Sequence, residues 1–276
     1  MDRALEFDSF WEKGYLVVRR VFEKDEMQVI KRVVDSQPGM SLHAEDIQRR
    51  ILQGERPSFE TIFVWNDTSN YDVFSKAVRS HKIVERLECF FQDEVYVYHN
   101  KVTLKYPGVV GFLYHQDYAY WYNMGNLYPD MAAVFIAVDE STRKNGCLRI
   151  IEGSHKLGRI DHVFNNGVSD SGACPVRLKA ITQRLPEVYV ELNIGDVVFF
   201  HCNTLHGSDD NDSSDSRIAL IGTYNTKHND PYIANLSHPA FQVQAKVYDR
   251  ITEADADNLP DFELDFSARA NKAIRE

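Results

Sequence analysis

Apolar and polar positions follow the helical period only in the first third of this chain. The segment 23–36, EKDEMQVIKRVVDS, begins with acidic residues and places its apolar side chains on one face of a helix. Those apolar residues are Met27, Ile30, Val33 and Val34. A second helix is predicted over about 73–91, and the apolar run at 14–18 predicts a short strand before the first helix.

From residue 94 onward the pattern changes to short apolar runs that turn residues separate, such as Pro107-Gly108 and Asn145-Gly146. The predicted strands are 95–98, 102–106, 131–138, 147–151, 188–192, 197–200 and 217–224. Residues 162–187 and 208–216 are predicted to be loops. Many short strands with turns between them indicate a mainly β fold with flanking helices, a double-stranded β-helix or jelly roll.

The chain length favours a single domain. With 276 residues it is long for an average domain but normal for one large β domain with helical additions. We expect one domain over 1–276, with a helical N-terminal part at about 1–93, a jelly-roll core at about 94–250 and a C-terminal extension. A chain of this size can bury most of its apolar surface, so its core needs no disulfide or structural metal.

Charge and composition narrow the class of protein. The net charge is −10 and the pI is near 5.5, which argues against a nucleic-acid or anionic-membrane surface. The four cysteines form no Cys-x-x-Cys pair, as expected for reduced intracellular thiols. The N-terminus resembles neither a signal nor a transit peptide, and no apolar stretch reaches about 18 residues. We therefore expect a cytoplasmic protein that binds neither nucleic acid nor a membrane.

Two short motifs far apart in the chain point to chemistry. One is His115-Gln116-Asp117; the other runs from Thr204 to Ser208 and contains His206. Side chains two apart on a strand share a face, so His115 and Asp117 can point together while Gln116 points away. A lone His-x-Asp is common by chance, but the combination is more specific. Two histidines and one carboxylate are the ligand set of non-haem Fe(II) oxygenases.

The chain resembles the phytanoyl-CoA dioxygenase-type family of Fe(II)/2-oxoglutarate-dependent oxygenases, which includes ectoine hydroxylase-like enzymes. The similarity extends from Gly14 to about Tyr224. It is carried by the segments 114–117, 145–150, 153–155 and 195–208 and by Arg217. The resemblance implies that His115, Asp117 and His206 bind and use Fe(II), and that 2-oxoglutarate and O₂ are the co-substrates.

The resemblance also implies the residues that hold 2-oxoglutarate. Arg217 stands eleven residues after His206, the family's offset for the arginine that binds the far carboxylate. Ser208 matches an assisting hydroxyl, and Asn100 is the nearest match to an amide on the strand before His115. A planar guanidinium suits a buried carboxylate. The alternative is that Arg217 forms ion pairs with the acidic loop 209–215.

The sequence departs from many relatives at one wall of this pocket. Those relatives carry a Trp on the strand after the His-x-Asp motif, whereas the strand here reads Ala132-Ala133-Val134-Phe135. This departure concerns the wall of the co-substrate pocket and leaves the iron ligands in place.

Three other polar positions are predicted to have supporting roles. His155, in a Gly-Ser-His motif, is expected to be a hydrogen-bonded structural residue. His201 is expected to support the iron site from outside the ligand shell. Asp139-Glu140 is expected to end a strand.

An aromatic segment follows Asp117 and contains Tyr118, Tyr120 and Trp121, with Tyr128 shortly after. One interpretation is a core-packing or lid segment; the other is a substrate pocket. Aromatic faces can hold a quaternary ammonium, and phenol hydroxyls can donate to an anionic group. The pocket interpretation requires the chain to turn just after Asp117, and it makes Trp121 the residue best placed to reach the cavity.

The sequence therefore predicts a dioxygenase that hydroxylates an unactivated C–H bond of a small polar metabolite while 2-oxoglutarate becomes succinate and CO₂. A phosphonate or a quaternary-ammonium or zwitterionic compound is the expected substrate class. The alternatives are a non-catalytic jelly-roll binding or regulatory protein, and a dioxygenase that acts on an acyl-CoA or natural-product intermediate. The pattern leaves the substrate's identity and the oligomeric state open.

Overall fold

The fold is described from a computed structural model that covers residues 3–36, 40–57, 60–65, 72–163, 171–233 and 240–257. The helices are α1 Arg3–Lys13, α2 Lys24–Asp35, α3 Met40–Leu52, α4 Val73–Val78, α5 His81–Phe91, α6 Tyr118–Trp121 and α7 Pro175–Thr182. The strands are β1 Tyr15–Val18, β2 Glu60–Trp65, β3 Val95–Lys105, β4 Phe112–His115, β5 Met131–Ala137, β6 Leu148–Ile151, β7 His162–Val163, β8 Gly172–Ala173, β9 Glu187–Val190, β10 Val197–His201, β11 His206–Ser208 and β12 Arg217–Thr226.

Two antiparallel sheets face each other. The major sheet has the strand order β1-β10-β5-β12-β3-β2, and the minor sheet has the order β4-β11-β6-β9. β7 and β8 form a separate two-stranded ribbon. The prediction of a mainly β jelly roll with flanking helices is confirmed, since sequence-distant strands pair within each sheet.

The two faces of the major sheet have different partners. One face packs against α1, α2, α4 and α5, and Val102 and Leu104 of β3 belong to that apolar cluster. The other face contributes Phe135 and Ala219 to the apolar cluster that it shares with the minor sheet and α6. The cavity between the sheets is therefore lined by alternate residues of each major-sheet strand.

The N-terminal part supplies strands as well as helices to this architecture. β1 pairs with β10, and β2 pairs with the central part of β3. The predicted apolar face of α2 is fully buried, and a capping box of Glu23 and Glu26 begins that helix. Most of the predicted C-terminal extension lies outside the described residues.

The single helix predicted over 73–91 is wrong, because the chain breaks it at Arg79 and Ser80. Ser80 is extended and forms a bridge with Val247. The amide of Val247 donates to the Arg79 carbonyl, and the amide of His81 donates to the Val247 carbonyl, both at 2.9 Å. A contact with a distant segment thus takes backbone groups that a continuous helix would have used.

The loop predicted at 162–187 is also partly wrong, because it contains α7 and the β7–β8 ribbon. Pro175 stands in the first turn of α7, where its missing N–H costs nothing. Leu178 and Ile181 of α7 pack with Ile151 and Leu205, which belong to the minor sheet and its flanking turn. The periodicity of this short helix is visible only once its apolar partners are known. No helix in the described part of the chain is long and apolar enough to cross a membrane.

Candidate active site

The two strands that carry the predicted iron ligands are neighbours in the minor sheet. β4 ends at His115 and β11 begins at His206, and these two residues lie opposite each other in the antiparallel register. Their imidazole centroids are 4.2 Å apart. Asp117 lies just past the end of β4, where the chain turns into α6. Strand pairing therefore brings the three side chains together from distant parts of the sequence.

The ligand atoms of these three side chains all lie within 4.8 Å of one another. Nε2 of His115 and Nε2 of His206 are each 3.8 Å from Oδ1 of Asp117. Two metal–ligand bonds of about 2.1 Å can join donor atoms up to about 4.2 Å apart. Both histidine–carboxylate separations lie within that reach, so a single ion can bind all three groups once the side chains adjust slightly around it.

Backbone carbonyls orient both imidazoles. Nδ1 of His115 donates to the Leu113 carbonyl and Nδ1 of His206 donates to the Thr204 carbonyl, each at 2.9 Å. A carbonyl can only accept, so the proton stays on Nδ1 and the Nε2 lone pair faces Asp117. Burial, and then the neighbouring His206, hold the pKa of His115 well below its usual range. A neutral imidazole is the form that binds a divalent metal, and this donor set suits Fe(II).

Gln116 points away from the ligand atoms, as expected from strand alternation, and its amide joins three segments of the chain. Nε2 donates to the carbonyls of Gly158 at 2.8 Å and Asn203 at 2.7 Å, and Oε1 accepts from the Ile160 amide at 2.7 Å. The side chain is fully buried. One amide group thus ties the end of β4 to the turn that leads into β11, so it fixes the distance between the two ligand-bearing strands.

Arg217 begins β12 and points into the space between the sheets. It is 3% exposed, and Nη1 donates to the Gly146 carbonyl at 2.5 Å. Burial lowers the pKa of Arg217 to about 10, so the guanidinium stays charged at neutral pH. Among the described residues it forms no ion pair with the acidic loop 209–215, and Nε has no hydrogen-bond partner. The guanidinium thus keeps donor capacity for an anion.

Lys105, which the sequence analysis missed, lies beside Arg217. The two residues are opposite each other on β3 and β12. Lys105 is fully buried, and Nζ donates to Ser208 Oγ at 3.0 Å and to the Asp209 carbonyl. Burial, and then the charge of Arg217, lower the pKa of Lys105 to about 7. The sequence did contain a signal for this residue. Lys105 falls on the opposite face of the strand from Val102 and Leu104, so one face of an apolar strand carries a charge.

We call Lys105, Arg217, Ser208 and Phe135 the cation pocket. Ser208 and His206 are two residues apart on β11, so their side chains point to the same side of the strand. The Phe135 ring centroid is 5.5 Å from the Arg217 guanidinium carbon. Phe135 thus covers the guanidinium in the strand where many relatives were expected to have a Trp.

The Asn145-Gly146 turn closes this pocket. Gly146 has a φ of +69°, and a Cβ there would lie 2.3 Å from the Asp209 carbonyl oxygen and 2.5 Å from Nζ of Lys105. Only glycine permits the turn to approach the buried ammonium this closely.

The prediction that Asn100 contributes to the co-substrate site does not agree with the strand register. Asn100 pairs with Gly222 and lies two residues before Val102 on β3. Val102 belongs to the cluster packed against the helices, so Asn100 lies on the helix-facing side of the major sheet. A shift of one residue along a strand reverses the face, and the inward positions of this strand are Lys101, Thr103 and Lys105.

The aromatic segment leaves the β4 strand as the pocket interpretation required, because α6 begins directly after Asp117. The Tyr120 ring lies 6.1 Å from the His115 ring, and burial, followed by the charge of Asp117, raises the pKa of Tyr120 to about 12. Trp121 is buried and lies 6.2 Å from the His99 ring. Tyr120 is therefore the aromatic residue of this segment that directly adjoins the ligand set.

Tyr118 and Tyr128 have other surroundings. Tyr118 is buried, and its hydroxyl donates to the Leu127 carbonyl at 2.6 Å. That bond holds the loop after α6 and favours the packing interpretation for this residue. Tyr128 is 53% exposed, and its ring lies 5.8 Å from the ring of His228, so it belongs to the outer surface.

The other histidines have mixed outcomes. Nε2 of His155 bonds to the Trp11 carbonyl at 3.0 Å, in agreement with the structural role predicted for it. The prediction that His201 supports the iron site is wrong. The His201 ring lies 5.5 Å from the Trp11 ring, on the helix-facing side of the major sheet. Asp139 follows the end of β5 and accepts from the Ile218 amide at 2.9 Å, as a strand-ending residue should.

Comparison with known proteins shows the family and the fold that this chain shares. The family model of phytanoyl-CoA dioxygenase (PhyH) matches residues 10–219. An ectoine dioxygenase of Streptomyces anulatus is 26% identical over 86% of this chain and 84% of its own length. A "Probable alpha-ketoglutarate-dependent hypophosphite dioxygenase" of Stutzerimonas stutzeri is 26% identical over 78% of this chain and 76% of its own length.

A similar fold is found in solved structures of EctD from S. alaskensis. The structure with 2-oxoglutarate and 5-hydroxyectoine has a TM-score of 0.67 and 19% identity, and the match covers 90% of this chain and 87% of that one. The same protein has also been solved with bound Fe. At this identity the likeness concerns the fold.

The convergence of the three ligand atoms generates the first prediction. His115→Ala and Asp117→Ala should each weaken Mn(II) binding by more than about 100-fold, since losing even an outer hydrogen-bond partner of a ligand costs about 10–100-fold. Calorimetric titration of metal-free protein measures this. His228→Ala, at an exposed position away from the site, is the control and should bind Mn(II) as the unchanged protein does. Normal binding by either site variant would disprove the ligand assignment.

The amide of Gln116 generates the second prediction. Gln116→Glu keeps the shape but faces two carbonyls with an acceptor, and each unsatisfied buried group costs about 1–3 kcal/mol. We expect a loss of roughly 2 kcal/mol or more in the free energy of unfolding, together with weaker Mn(II) binding. Gln183→Glu makes the same change at an exposed position and should stay within about 0.5 kcal/mol. Equal effects of the two variants in urea denaturation would contradict the role given to Gln116.

Proposed function

This chain belongs to the phytanoyl-CoA dioxygenase family and is an Fe(II)- and 2-oxoglutarate-dependent dioxygenase, and we propose that it hydroxylates an unactivated C–H bond of a small polar metabolite. 2-Oxoglutarate is converted to succinate and CO₂ in that reaction. Phosphonates and zwitterionic or quaternary-ammonium compounds are the proposed substrate class. The match to dioxygenases of ectoine and of hypophosphite supports a small polar substrate.

The observation that carries the proposal is the placement of the ligand triad and the cation pocket on the same short strand. His206 begins β11, and Ser208, which accepts from Lys105, ends it. In our proposal His115, Asp117 and His206 hold Fe(II), which supplies the oxidising chemistry with O₂. Arg217 and Lys105 bind the distal carboxylate of 2-oxoglutarate, so the co-substrate extends from the cation pocket to the metal.

The remaining residues keep water out and hold this geometry. Phe112 and Phe200 lie with ring centroids 4.5 Å from His115 and 4.7 Å from His206. These apolar walls exclude water from the ligand set, which strengthens the electrostatic interactions inside it. Tyr120 stands on the side where α6 leaves the strand, so we place the primary substrate between α6 and the metal.

Succinate release is the direct test of the proposal. The enzyme loaded with Fe(II) should release succinate from 2-oxoglutarate in the presence of O₂, and a matching substrate should accelerate this release. A panel of phosphonates, zwitterions, amino acids and acyl-CoA thioesters separates the proposed class from acyl-CoA substrates. Acceleration by an acyl-CoA thioester alone would refute the small polar substrate.

Arg217 provides a prediction about the co-substrate. Removing one partner of a buried ion pair costs on the order of 3–5 kcal/mol, so Arg217→Ala should raise the KM for 2-oxoglutarate by at least about 100-fold. Arg217→Lys should restore it only partly, because an ammonium lacks the planar fork. Arg184→Ala, at an exposed position, should leave the KM unchanged. Normal binding of 2-oxoglutarate to Arg217→Ala in calorimetry would refute this anchor.

The pKa of Lys105 predicts a pH dependence of 2-oxoglutarate binding. Below a pH of about 7, Lys105 in the free enzyme is already protonated before 2-oxoglutarate binds. Above that pH, Lys105 is neutral in the free enzyme and must take up a proton when 2-oxoglutarate binds. Affinity for 2-oxoglutarate should therefore fall as the pH rises from 7 to 9, with proton uptake visible in calorimetry in two buffers of different ionisation enthalpy. Lys105→Arg keeps its charge and should flatten the profile. A flat profile in the unchanged enzyme would contradict the prediction.

A further inference from the structure

Lys101 is a lysine on the inward face of β3 that the proposed iron and co-substrate sites do not use. It pairs with Ile221 of β12 and alternates with Thr103 and Lys105 along the strand. Thr103 donates to the Ala219 carbonyl, and Ala219 belongs to the cluster between the sheets. Because positions two apart share a face, Lys101 lies on the side of the major sheet that faces the ligand triad.

The inward face of β3 near Lys101 also adjoins α6. His99, two residues earlier on the strand, has its ring 6.2 Å from Trp121 of α6. Lys101 thus lies beside the space between α6 and the triad, where we place the primary substrate.

The ammonium of Lys101 differs from the other two inward cations in having no partner among the described residues. Arg217 donates to the Gly146 carbonyl, and Lys105 donates to Ser208. Lys101 is half-buried and forms no hydrogen bond or ion pair with any described residue. A cation that is partly removed from water without a partner is costly, and a bound anion would offset that cost.

The charges around the site also favour an anion. Asp117 and dianionic 2-oxoglutarate carry three negative charges, while Fe(II), Arg217 and Lys105 carry four positive ones. One positive charge remains before Lys101 is counted, and two remain after it. At the low effective dielectric of a closed site, that excess attracts an anionic ligand and repels a cationic one.

The aromatic residues do not form an open cage for a ligand cation. The guanidinium carbon of Arg159 lies 4.4 Å from the Tyr122 ring centroid, so the protein's own cation already covers that ring. Trp121 is buried and makes edge-to-face contacts with the rings of Tyr98 and His99. Neither of these two rings is therefore open to a ligand cation.

We propose that Lys101 binds an anionic headgroup of the primary substrate, a phosphorus oxyanion or a carboxylate, and thereby selects anionic or zwitterionic compounds over purely cationic ones. This inference rests on the proposed function and narrows its substrate class. It makes Lys101 a specificity-determining residue that holds one end of the substrate while Tyr120 and the triad face the other end.

The test is an anaerobic titration of substrate probes into the enzyme loaded with Fe(II) and 2-oxoglutarate. Binding is measured by the change in visible absorption of the iron–2-oxoglutarate complex and by calorimetry. Ethylphosphonate, propionate and choline are the probes, and they separate phosphorus oxyanion, carboxylate and cation. Lys101→Met removes the charge at similar length, and Lys101→Arg keeps it. Lys144→Met, at an exposed position, is the matched control.

We expect ethylphosphonate or propionate to bind the unchanged enzyme and choline not to bind. Lys101→Met should weaken anion binding by about 10-fold or more, the effect of a lost hydrogen bond to a charged group. Its affinity for 2-oxoglutarate and its melting temperature should not change. Lys101→Arg should retain most of the affinity, and Lys144→Met all of it.

Three results would overturn the proposal: binding of choline in preference to both anions, no binding of either anion, or a Lys101→Met variant that weakens only 2-oxoglutarate. The last result would make Lys101 part of the co-substrate site. Failure of the unchanged enzyme to develop the iron–2-oxoglutarate absorption would instead disprove the proposed function. The two failures are therefore distinguishable.

Discussion

The antiparallel pairing of β4 with β11 is the constraint on which the rest of the site depends. It places His115 opposite His206, and the carbonyls of Leu113 and Thr204 then turn both imidazoles so that their Nε2 atoms face Asp117. The backbone sets these distances before any metal binds, so little side-chain entropy is lost on binding. The buried amide of Gln116 holds the two strands at that spacing from the other side.

Two buried positive charges, those of Lys105 and Arg217, lie side by side in the cavity. Burial, and then the adjacent guanidinium of Arg217, lower the pKa of Lys105 to about 7, so the two cations side by side are unfavourable without an anion. In the proposed arrangement a dianionic co-substrate would resolve that conflict. Its binding energy would then come from the end away from the metal, which would position the reacting end without competing for the metal's coordination positions.

Side-chain alternation along β3 places its neighbouring polar residues on opposite faces of the major sheet. Asn100 and Lys101 are adjacent in sequence, yet one lies on the helix-facing side and the other on the cavity side. The same two-residue period places Lys105 beside Arg217. A bulge in the pairing of β3 with β12, between Thr223 and Tyr224, resets this alternation towards the start of the strand. The chemistry of the cavity is therefore set by register as much as by residue type.

The sequence by itself determined the strand-rich class and the apolar face of α2, because each is a local pattern with a fixed period. Its resemblance to a family supplied the expected metal ligands and the arginine offset. The sequence did not determine the break between α4 and α5 at Arg79 and Ser80, the inward position of Lys105 or the helix-facing position of Asn100. Those depend on partners far away in the chain: the pairing with Val247, the register against β12 and the approach of the Gly146 turn. Only the tertiary structure decides them. The two faces of a strand differ only when the helices cover one face of the sheet and the second sheet covers the other.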